Sequence, residues 1–432
     1  MSNSQDKAFN HSRLTHIWTA LIIVFVLGGI VGISAALLSL LLEVVQTLML
    51  GGAESMAAPV AATQQPWRWT LSIIAASIVA ALVWFFLRAH IKVPSVSGAV
   101  HGKKMPVVAT IIHVIMQIFI VGAGLSIGRE TAPRELGSLL GQKASAALKL
   151  RAEDMTIVVA IAAGAGFAGV YDAPLAGMFF AVEMLLVDVS IRTVILSFGT
   201  SAVAAFSARL IKGHHTFYSI HAIEVSHSLI LMCVIIGPIM GAIAYYYRRG
   251  TDWAARNQVK GTAILWQLPL MGVVTGIVAY FLPNIMGNGR ALAQYAYDAA
   301  GIQVVGILLL TAALKAIVTM LTVRSGASGG VLTPAIAVGG ALGAVIAIGA
   351  QYILPDISIS VVALIASAAF LATSQRAPLM ASCLLIELSS SSIHAFIPLG
   401  VAVFLSVAVS SSLERLNAQH KGISHNIEPQ KS

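Results

Sequence analysis

One apolar run near the amino end constrains this chain more than any other feature. Residues 17–50 contain a single charged side chain, Glu43. As a helix rising 1.5 Å per residue, this run would be about 50 Å long, well over the ~30 Å core of a bilayer. It is also far longer than the apolar segment of a signal peptide. The sequence therefore predicts a retained membrane helix that tilts or bends.

The rest of the chain continues this pattern. Further apolar runs cover residues 69–87, 107–127, 156–186, 191–209, 228–247, 264–282, 303–322, 331–352, 359–373, 378–387 and 394–411. Several of them are too short, or too rich in glycine and proline, to be simple spans. Only 10% of the 432 residues are charged, against about 25% in soluble domains. This balance excludes a water-soluble enzyme and predicts an all-α integral membrane protein.

The basic residues predict the orientation of the chain. Lys and Arg number 26 and Asp and Glu 17, a net charge of +9. The bases lie in short polar segments, namely Lys7 and Arg13, then Arg248, Arg249, Arg256 and Lys260, then Arg415, Lys421 and Lys431. By the positive-inside rule these segments face the cytoplasm, and nucleic acid is not a predicted partner. We expect a cytoplasmic segment at 1–14, a membrane domain at 15–413 and a cytoplasmic tail at 414–432.

An internal repeat divides the membrane domain into halves at about 15–212 and 225–413. Residues 172–175, Asp-Ala-Pro-Leu, match residues 376–379, Arg-Ala-Pro-Leu. A glutamate stands nine residues past each proline, at Glu183 and Glu387. Helices broken at matching places in two halves are typical of transport folds, with the binding site where the breaks meet.

A second pair of matching turns carries the candidate site. Each half has a glycine-rich turn leading into a helix, at residues 128–133 and 329–334. Such a helix directs its free N–H groups and positive dipole end at whatever lies before it, which favours an anion. The predicted anion-binding residues are Gly128, Arg129, Glu130, Gly330, Val331 and Leu332. The alternative is that Arg129 and Glu130 only pair with each other and hold helices together.

These motifs resemble the CLC family of chloride channels and proton-coupled chloride transporters. Residues 128–130 resemble its G-R-E-G-P signature, residues 329–334 its G-x-F-x-P signature, and residues 287–289, Gly-Asn-Gly, also fit. The resemblance runs from about Ala20 to Ser412. It implies a CLC-type fold of two inverted-topology repeats with tilted and broken transmembrane helices. It also implies a small bacterial inner-membrane member without regulatory domains, and a homodimer with one ion path per subunit.

The chain departs from the family pattern at several positions. Thr131 replaces the glycine after the glutamate, and Leu332 replaces a phenylalanine. The first family signature, G-S-G-I-P, aligns with residues 90–94, where Ile91 replaces the serine that coordinates chloride; the resemblance places Ile91 and Lys92 at the mouth of the pore. The late pore tyrosine has no counterpart, since Tyr352 is the last tyrosine. The preferred anion, chloride or another such as nitrate or fluoride, is therefore open.

The resemblance implies that Glu130 is the gate, with its carboxylate occupying an anion position until it is protonated or displaced. Proton-coupled members carry a second glutamate on the cytoplasmic side, and that position is Met184 here. Glu183 matches a structural glutamate of the family, and Asp188 lies about one helical turn past Met184. We therefore predict channel-like or uncoupled passage of small inorganic anions, with chloride favoured. Proton/chloride antiport, with Glu183 or Asp188 on the proton path, is the alternative.

Two other classes are less favoured. A secondary transporter of an organic solute would need a polar cavity, and few polar residues lie in the apolar runs. An intramembrane enzyme is weakly indicated by residues 124–128, Gly-Leu-Ser-Ile-Gly, but a nucleophile elbow needs a strand-to-helix turn. No metal or cofactor is predicted. Cys233 and Cys383 both lie in apolar runs, so a disulfide is not expected.

Overall fold

The fold is given by a computed structural model that describes residues 17–55, 65–187, 190–214 and 216–425. Apart from one isolated bridge, the regular structure of these residues is helical. The α-helices are α1 (Ile17–Leu50), α2 (Pro66–His90), α3 (Val96–Val100), α4 (Val107–Gly122), α5 (Thr131–Ala147), α6 (Ala152–Tyr171), α7 (Pro174–Leu186), α8 (Ile191–Lys212), α9 (His227–Arg256), α10 (Ile264–Phe281), α11 (Arg290–Tyr297), α12 (Val305–Arg324), α13 (Leu332–Ala350), α14 (Ile359–Gln375), α15 (Pro378–Leu388) and α16 (Phe396–His425).

Nine helices of the described part are long and apolar enough to cross a membrane, and four shorter apolar helices lie among them. This confirms an all-α membrane protein with short helices between full spans. The first helix is continuous over 34 residues and contains a π-helical segment at Ile22–Leu27. Such segments are common causes of helix bending, as expected for a helix longer than the bilayer is thick.

The two Ala-Pro-Leu motifs break the chain in the same way. Helix α6 ends before Asp172 (φ 55°, ψ 42°), and α14 ends before Arg376 (φ 54°, ψ 39°). Both residues adopt the left-handed conformation, which is uncommon outside glycine. The proline two residues later, Pro174 or Pro378, then opens a new helix at its first position, where the missing N–H costs nothing. The predicted repeat of broken helices is confirmed in the backbone.

Equivalent helices of the two halves have equivalent neighbours. The first helix of each half packs against the last, α1 against α8 and α9 against α16. Within each half, the helix that follows the glycine-rich turn packs along its successor, α5 on α6 and α13 on α14. Helices α6, α13 and α14 are buried along most of their length, so the glycine-rich turns open into the protein interior. Cys233 and Cys383 are buried and free.

The repeated glutamates join the two halves to each other. Glu183 in α7 accepts hydrogen bonds from the backbone N–H groups of Leu379 and Met380, in the first turn of α15, at 3.2 and 2.9 Å. Glu387 in α15 accepts two from the first turn of α7, at 2.8 and 2.9 Å. A carboxylate at a helix N-terminus satisfies orphan N–H groups and complements the dipole. Each half therefore caps a helix of the other.

The end of α7 bears on the predicted spacing between Met184 and Asp188. Residues Phe180–Leu186 form a π-helical segment, and Val187 at φ 52° ends it in the left-handed conformation. The α-helical spacing assumed between Met184 and Asp188 therefore does not describe residues 180–187. Asp188 itself lies outside the described residues.

Candidate functional site

The two glycine-rich turns meet at the start of their helices. The N–H of Gly128 donates to the carbonyl of Gly330 at 2.7 Å, and the N–H of Gly330 donates back at 2.8 Å. The pair forms an antiparallel bridge. Because α5 begins at Thr131 and α13 at Leu332, the positive ends of both helices converge on this point. The predicted meeting of two helix N-termini is thus observed.

Glu130 lies between these helix ends. It precedes the first residue of α5, and its side chain is fully buried. Its Oε1 accepts a hydrogen bond from the backbone N–H of Leu332 at 2.7 Å, and its Oε2 accepts one from the hydroxyl of Thr333 at 3.0 Å. The carboxylate therefore stands where a bound anion would use the N-terminus of α13.

The two glycines play a different part from the expected one. Their N–H groups pair with each other's carbonyls, so they do not point at the carboxylate. A Cβ built on Gly128 or on Gly330 would instead overlap the Glu130 carboxylate. A side chain at either position would therefore require the Glu130 side chain to move. Among the predicted anion-binding residues, Leu332 is the one whose N–H contacts the carboxylate, and Val331 precedes α13 as its cap.

Tyr171 and Thr333, which the sequence interpretation did not assign to the site, extend it. The hydroxyl of Tyr171 lies 2.9 Å from that of Thr333. Because the Thr333 hydrogen goes to Glu130, Tyr171 must be the donor in this pair. The guanidinium of Arg129 lies over the Tyr171 ring, 5.5 Å from its centroid, and does not pair with Glu130. The available signal was a tyrosine directly before the Asp-Ala-Pro-Leu break, at the end of an apolar run.

Arg134 fixes the start of α5. Its Nε donates to the carbonyl of Glu130 at 2.7 Å, and an Nη donates to the hydroxyl of Thr131 at 2.8 Å. Its guanidinium also lies 5.0 Å from the ring centroid of Phe180 in α7. These contacts fix the backbone at Glu130, whereas the Glu130 carboxylate is bound by residues of α13.

One cavity opens beside Arg129 at the end of α1, and we call it the α1-end cavity. Its volume is about 500 Å³. The charged and aromatic residues that line it are Glu43, Glu54, Arg129, Tyr171, Asp172, Lys212, Phe217 and Arg290. Since Arg129 adjoins Glu130 in the chain and Tyr171 bonds to Thr333, this cavity reaches the residues around the carboxylate.

A second cavity, the α2-end cavity, opens at the opposite end of the fold. Arg68 at the start of α2 bonds to the carbonyl of Met49 at the end of α1, and the 25-residue α2 places its other end about 37 Å from that point. The α2-end cavity has a volume of about 760 Å³ and is lined by Ile91 and Lys92. It extends to Ser328, which is two residues before Gly330 in the chain. The Ser328 hydroxyl accepts a hydrogen bond from Arg88 at 2.8 Å. Glu130 therefore lies between two cavities.

Lys315 supports the turn at residues 287–289. Its side chain is fully buried, and its Nζ donates to the carbonyls of Ile285 and Gly287 at 2.9 and 2.7 Å. The N–H of Gly287 in turn donates to the carbonyl of Gly124, four residues before Gly128. No carboxylate of the described residues pairs with this buried lysine. It holds a turn against the loop that leads to the site.

The candidate proton-path residues are placed as follows. Glu183 caps α15 and is half-buried, and Met184 beside it packs against the main hydrophobic core. Neither contacts Glu130. Two other protonatable side chains, His113 and Glu135, line the α2-end cavity. The sequence interpretation missed both of them.

Comparison with known proteins gives a consistent group of relatives. A family model described as voltage gated chloride channel matches residues 75–411. The H(+)/Cl(-) exchange transporter ClcA of Yersinia pestis is 26% identical over 353 residues, which cover 75% of this chain and 71% of the relative. A putative chloride channel protein, ClcB-like, of Ralstonia nicotianae is 30% identical over 281 residues, covering 63% and 65%.

The fold is also similar to a solved structure. The crystal structure of a slow cyanobacterial Cl-/H+ antiporter superposes with a TM-score of 0.78 at 23% identity. The match covers 91% of this chain and 95% of the other. At that identity the likeness establishes the arrangement of helices, including the broken ones.

Proposed function

Because the chain belongs to the voltage-gated chloride channel family, we propose that it exchanges chloride for protons across a bacterial inner membrane, along a path gated by Glu130. The observation that carries the proposal is the hydrogen bond between the Glu130 carboxylate and the N–H of Leu332. An ionised carboxylate at that position and a chloride ion compete for the same donor.

This competition couples anion occupancy to a proton. Hydrogen bonds to a charged acceptor are each worth roughly 1.5–3 kcal/mol. A proton on Glu130 removes that charge, weakens its bonds to Leu332 and Thr333, and favours chloride at the N-terminus of α13. Chloride that arrives first displaces the carboxylate, which is then free to take up a proton elsewhere.

The anion path runs from one cavity to the other past Glu130. The α2-end cavity is lined by Arg88, Lys92, Arg256 and Lys260. Arg256 and Lys260 belong to the basic linker that the positive-inside rule assigns to the cytoplasm, so this cavity opens to the cytoplasm and both termini lie on that side. Its positive charge raises the local concentration of anions. Gly128, Val331 and Leu332 then line the narrow part of the path.

Exchange is favoured over simple conduction by the Yersinia relative. The Yersinia protein, of which this chain covers 71%, is a proton/chloride exchange transporter. One observation favours a chloride channel as the second candidate: Met184 replaces the glutamate that the family uses to deliver protons, and a thioether carries none. Proton/chloride exchange therefore requires another protonatable group that delivers protons from the cytoplasmic side. The working unit is a homodimer with one path per subunit.

The test is made with purified protein in liposomes under a chloride gradient, with chloride and proton fluxes recorded together. Exchange predicts uphill proton movement in fixed ratio to chloride, and its loss in Glu130→Gln. Chloride movement without protons would replace exchange by channel conduction. An absence of chloride movement, with transport of another anion, would overturn the proposed substrate.

A further inference from the structure

A buried pair of protonatable side chains, His113 and Glu135, lies at the wall of the α2-end cavity. Their Nε2 and Oε2 atoms are 3.6 Å apart. The Oε2 of Glu135 also accepts a hydrogen bond from Gln117 at 2.6 Å. An ionisable residue inside a membrane domain is costly and is usually functional, yet the anion path described above uses neither of these two.

The hydrogen-bonding capacity of this pair and its neighbours is not fully used, unlike that of a purely structural ion pair. Within the described residues, Glu135 has no Lys or Arg partner, since Arg134 is turned to Glu130 and Thr131. The Nδ1 of His113, the Oε1 of Gln117 and the indole N–H of Trp84 are buried without a hydrogen-bond partner in this part of the chain. Polar atoms with unused capacity beside a cavity can change partners when a proton arrives.

Other charged groups face this pair from several sides. Arg88 of α2 lies over the Trp84 ring, 5.3 Å from its centroid, and that ring is 5.9 Å from the His113 ring. On α5 itself the nearest charge is Arg134. Helix α3 contributes no titratable side chain, and Asp154 near the start of α6 pairs with Arg151 and Arg192. The cavity wall adds Lys92, Arg256 and Lys260. In these positive surroundings Glu135 is the carboxylate nearest to His113.

Glu135 follows Glu130 at the start of α5. The two residues are five positions apart, which places them about 7.5 Å apart along the helix axis and roughly 140° apart around it. The cavity that Glu135 lines extends to Ser328, next to the turn that meets Glu130. This separation is longer than one hydrogen bond, so a proton crosses it by way of water or by movement of the Glu130 side chain.

We propose that His113 and Glu135 form the cytoplasmic proton-binding site of this exchanger. They would replace the second glutamate of the family, whose position is occupied here by Met184, a side chain that cannot bind a proton. The inference rests on the proposed exchange function. The proton comes from water in the α2-end cavity and binds to the Glu135 carboxylate, with His113 as the partner that gives or takes it. It then passes to the Glu130 carboxylate, and Glu135 returns to its ionised form.

The experiment compares the ratio of proton to chloride flux in proteoliposomes for the wild type, Glu135→Gln, His113→Gln and Glu135→Asp. A positioned acid or base commonly contributes on the order of a hundredfold to proton transfer, so Glu135→Gln should reduce proton flux by about that factor while chloride flux falls far less. Glu135→Asp keeps a carboxylate and should recover part of the proton flux. Glu153→Gln, an exposed acid in the first turn of α6, is the matched control.

The outcomes separate the two proposals. A coupled wild type with an unchanged ratio in Glu135→Gln overturns the assignment of this site and leaves exchange standing. A wild type that moves chloride without protons overturns exchange and this site together. If Glu135→Gln does not reconstitute, His113→Gln decides, and an unchanged ratio in that variant overturns the assignment.

Discussion

The carboxylate of Glu130 accepts a hydrogen bond at 2.7 Å from the backbone N–H of Leu332, a residue 202 positions away in the chain. The bond joins the first half of the protein to the second at the point where two helices begin. It also places the one acidic side chain of residues 128–133 and 329–334 against the positive end of α13.

Glu130→Gln should abolish the dependence of chloride flux on pH and stop proton coupling. The amide cannot ionise, so protonation no longer changes its competition with chloride for the Leu332 N–H. Chloride efflux from proteoliposomes is measured at acidic and neutral pH, with Glu153→Gln as the control. If Glu130→Gln keeps the pH dependence of the wild type, the gating role is wrong.

Gly330→Ala should be destabilising in the wild type and much less so in Glu130→Ala. The added Cβ overlaps the carboxylate, and removing that carboxylate vacates the space. Residues in contact typically show interaction energies of roughly 0.5–3 kcal/mol in a double-mutant cycle. Thermal unfolding in detergent of the wild type, both single variants and the double variant gives this energy. Additive effects would contradict the overlap.

Met184→Glu should restore proton coupling to Glu135→Gln. The substitution places a carboxylate at the position where the family resemblance puts its proton donor, so a second route replaces the lost one. Simultaneous chloride and proton recording measures the recovery, and Met184→Gln is the size-matched control. Equal coupling in the Glu and Gln variants would show that position 184 gives no access to the proton path.

Glu183→Gln and Glu387→Gln should lower stability while keeping the ratio of proton to chloride flux. Each carboxylate accepts two backbone N–H groups from the other half, and an amide presents only one acceptor oxygen. We expect a loss of about 1–3 kcal/mol for each variant. Unfolding in detergent and flux in liposomes are measured on the same preparations. A changed flux ratio in Glu183→Gln alone would instead place it on the proton path.

The purified protein should be a dimer in mild detergent. Self-complementary twofold interfaces are the commonest form of homo-oligomer, and the family resemblance implies one path per subunit. Crosslinking and mass photometry should give twice the mass of the chain across a range of protein concentrations. A monomer that persists at the highest concentration would be inconsistent with this assembly.

The sequence by itself determined the class of protein and much of its topology. Apolar runs require helices in a membrane, because buried backbone groups must bond within their own segment. The prolines at 174 and 378 determined where helices break and restart, since proline constrains the residue before it and has no N–H. Both properties are local, so they can be seen in a short stretch of sequence.

Only the tertiary structure decided which groups face each other at the site. The contacts of Glu130 with Leu332, of Tyr171 with Thr333 and of His113 with Glu135 join different helices, and no sequence spacing reports them. The two backbone hydrogen bonds between Gly128 and Gly330 likewise gave those glycines a role that the sequence had not indicated. Contacts of this kind depend on side-chain direction and on how two halves pack, and both are properties of the whole fold.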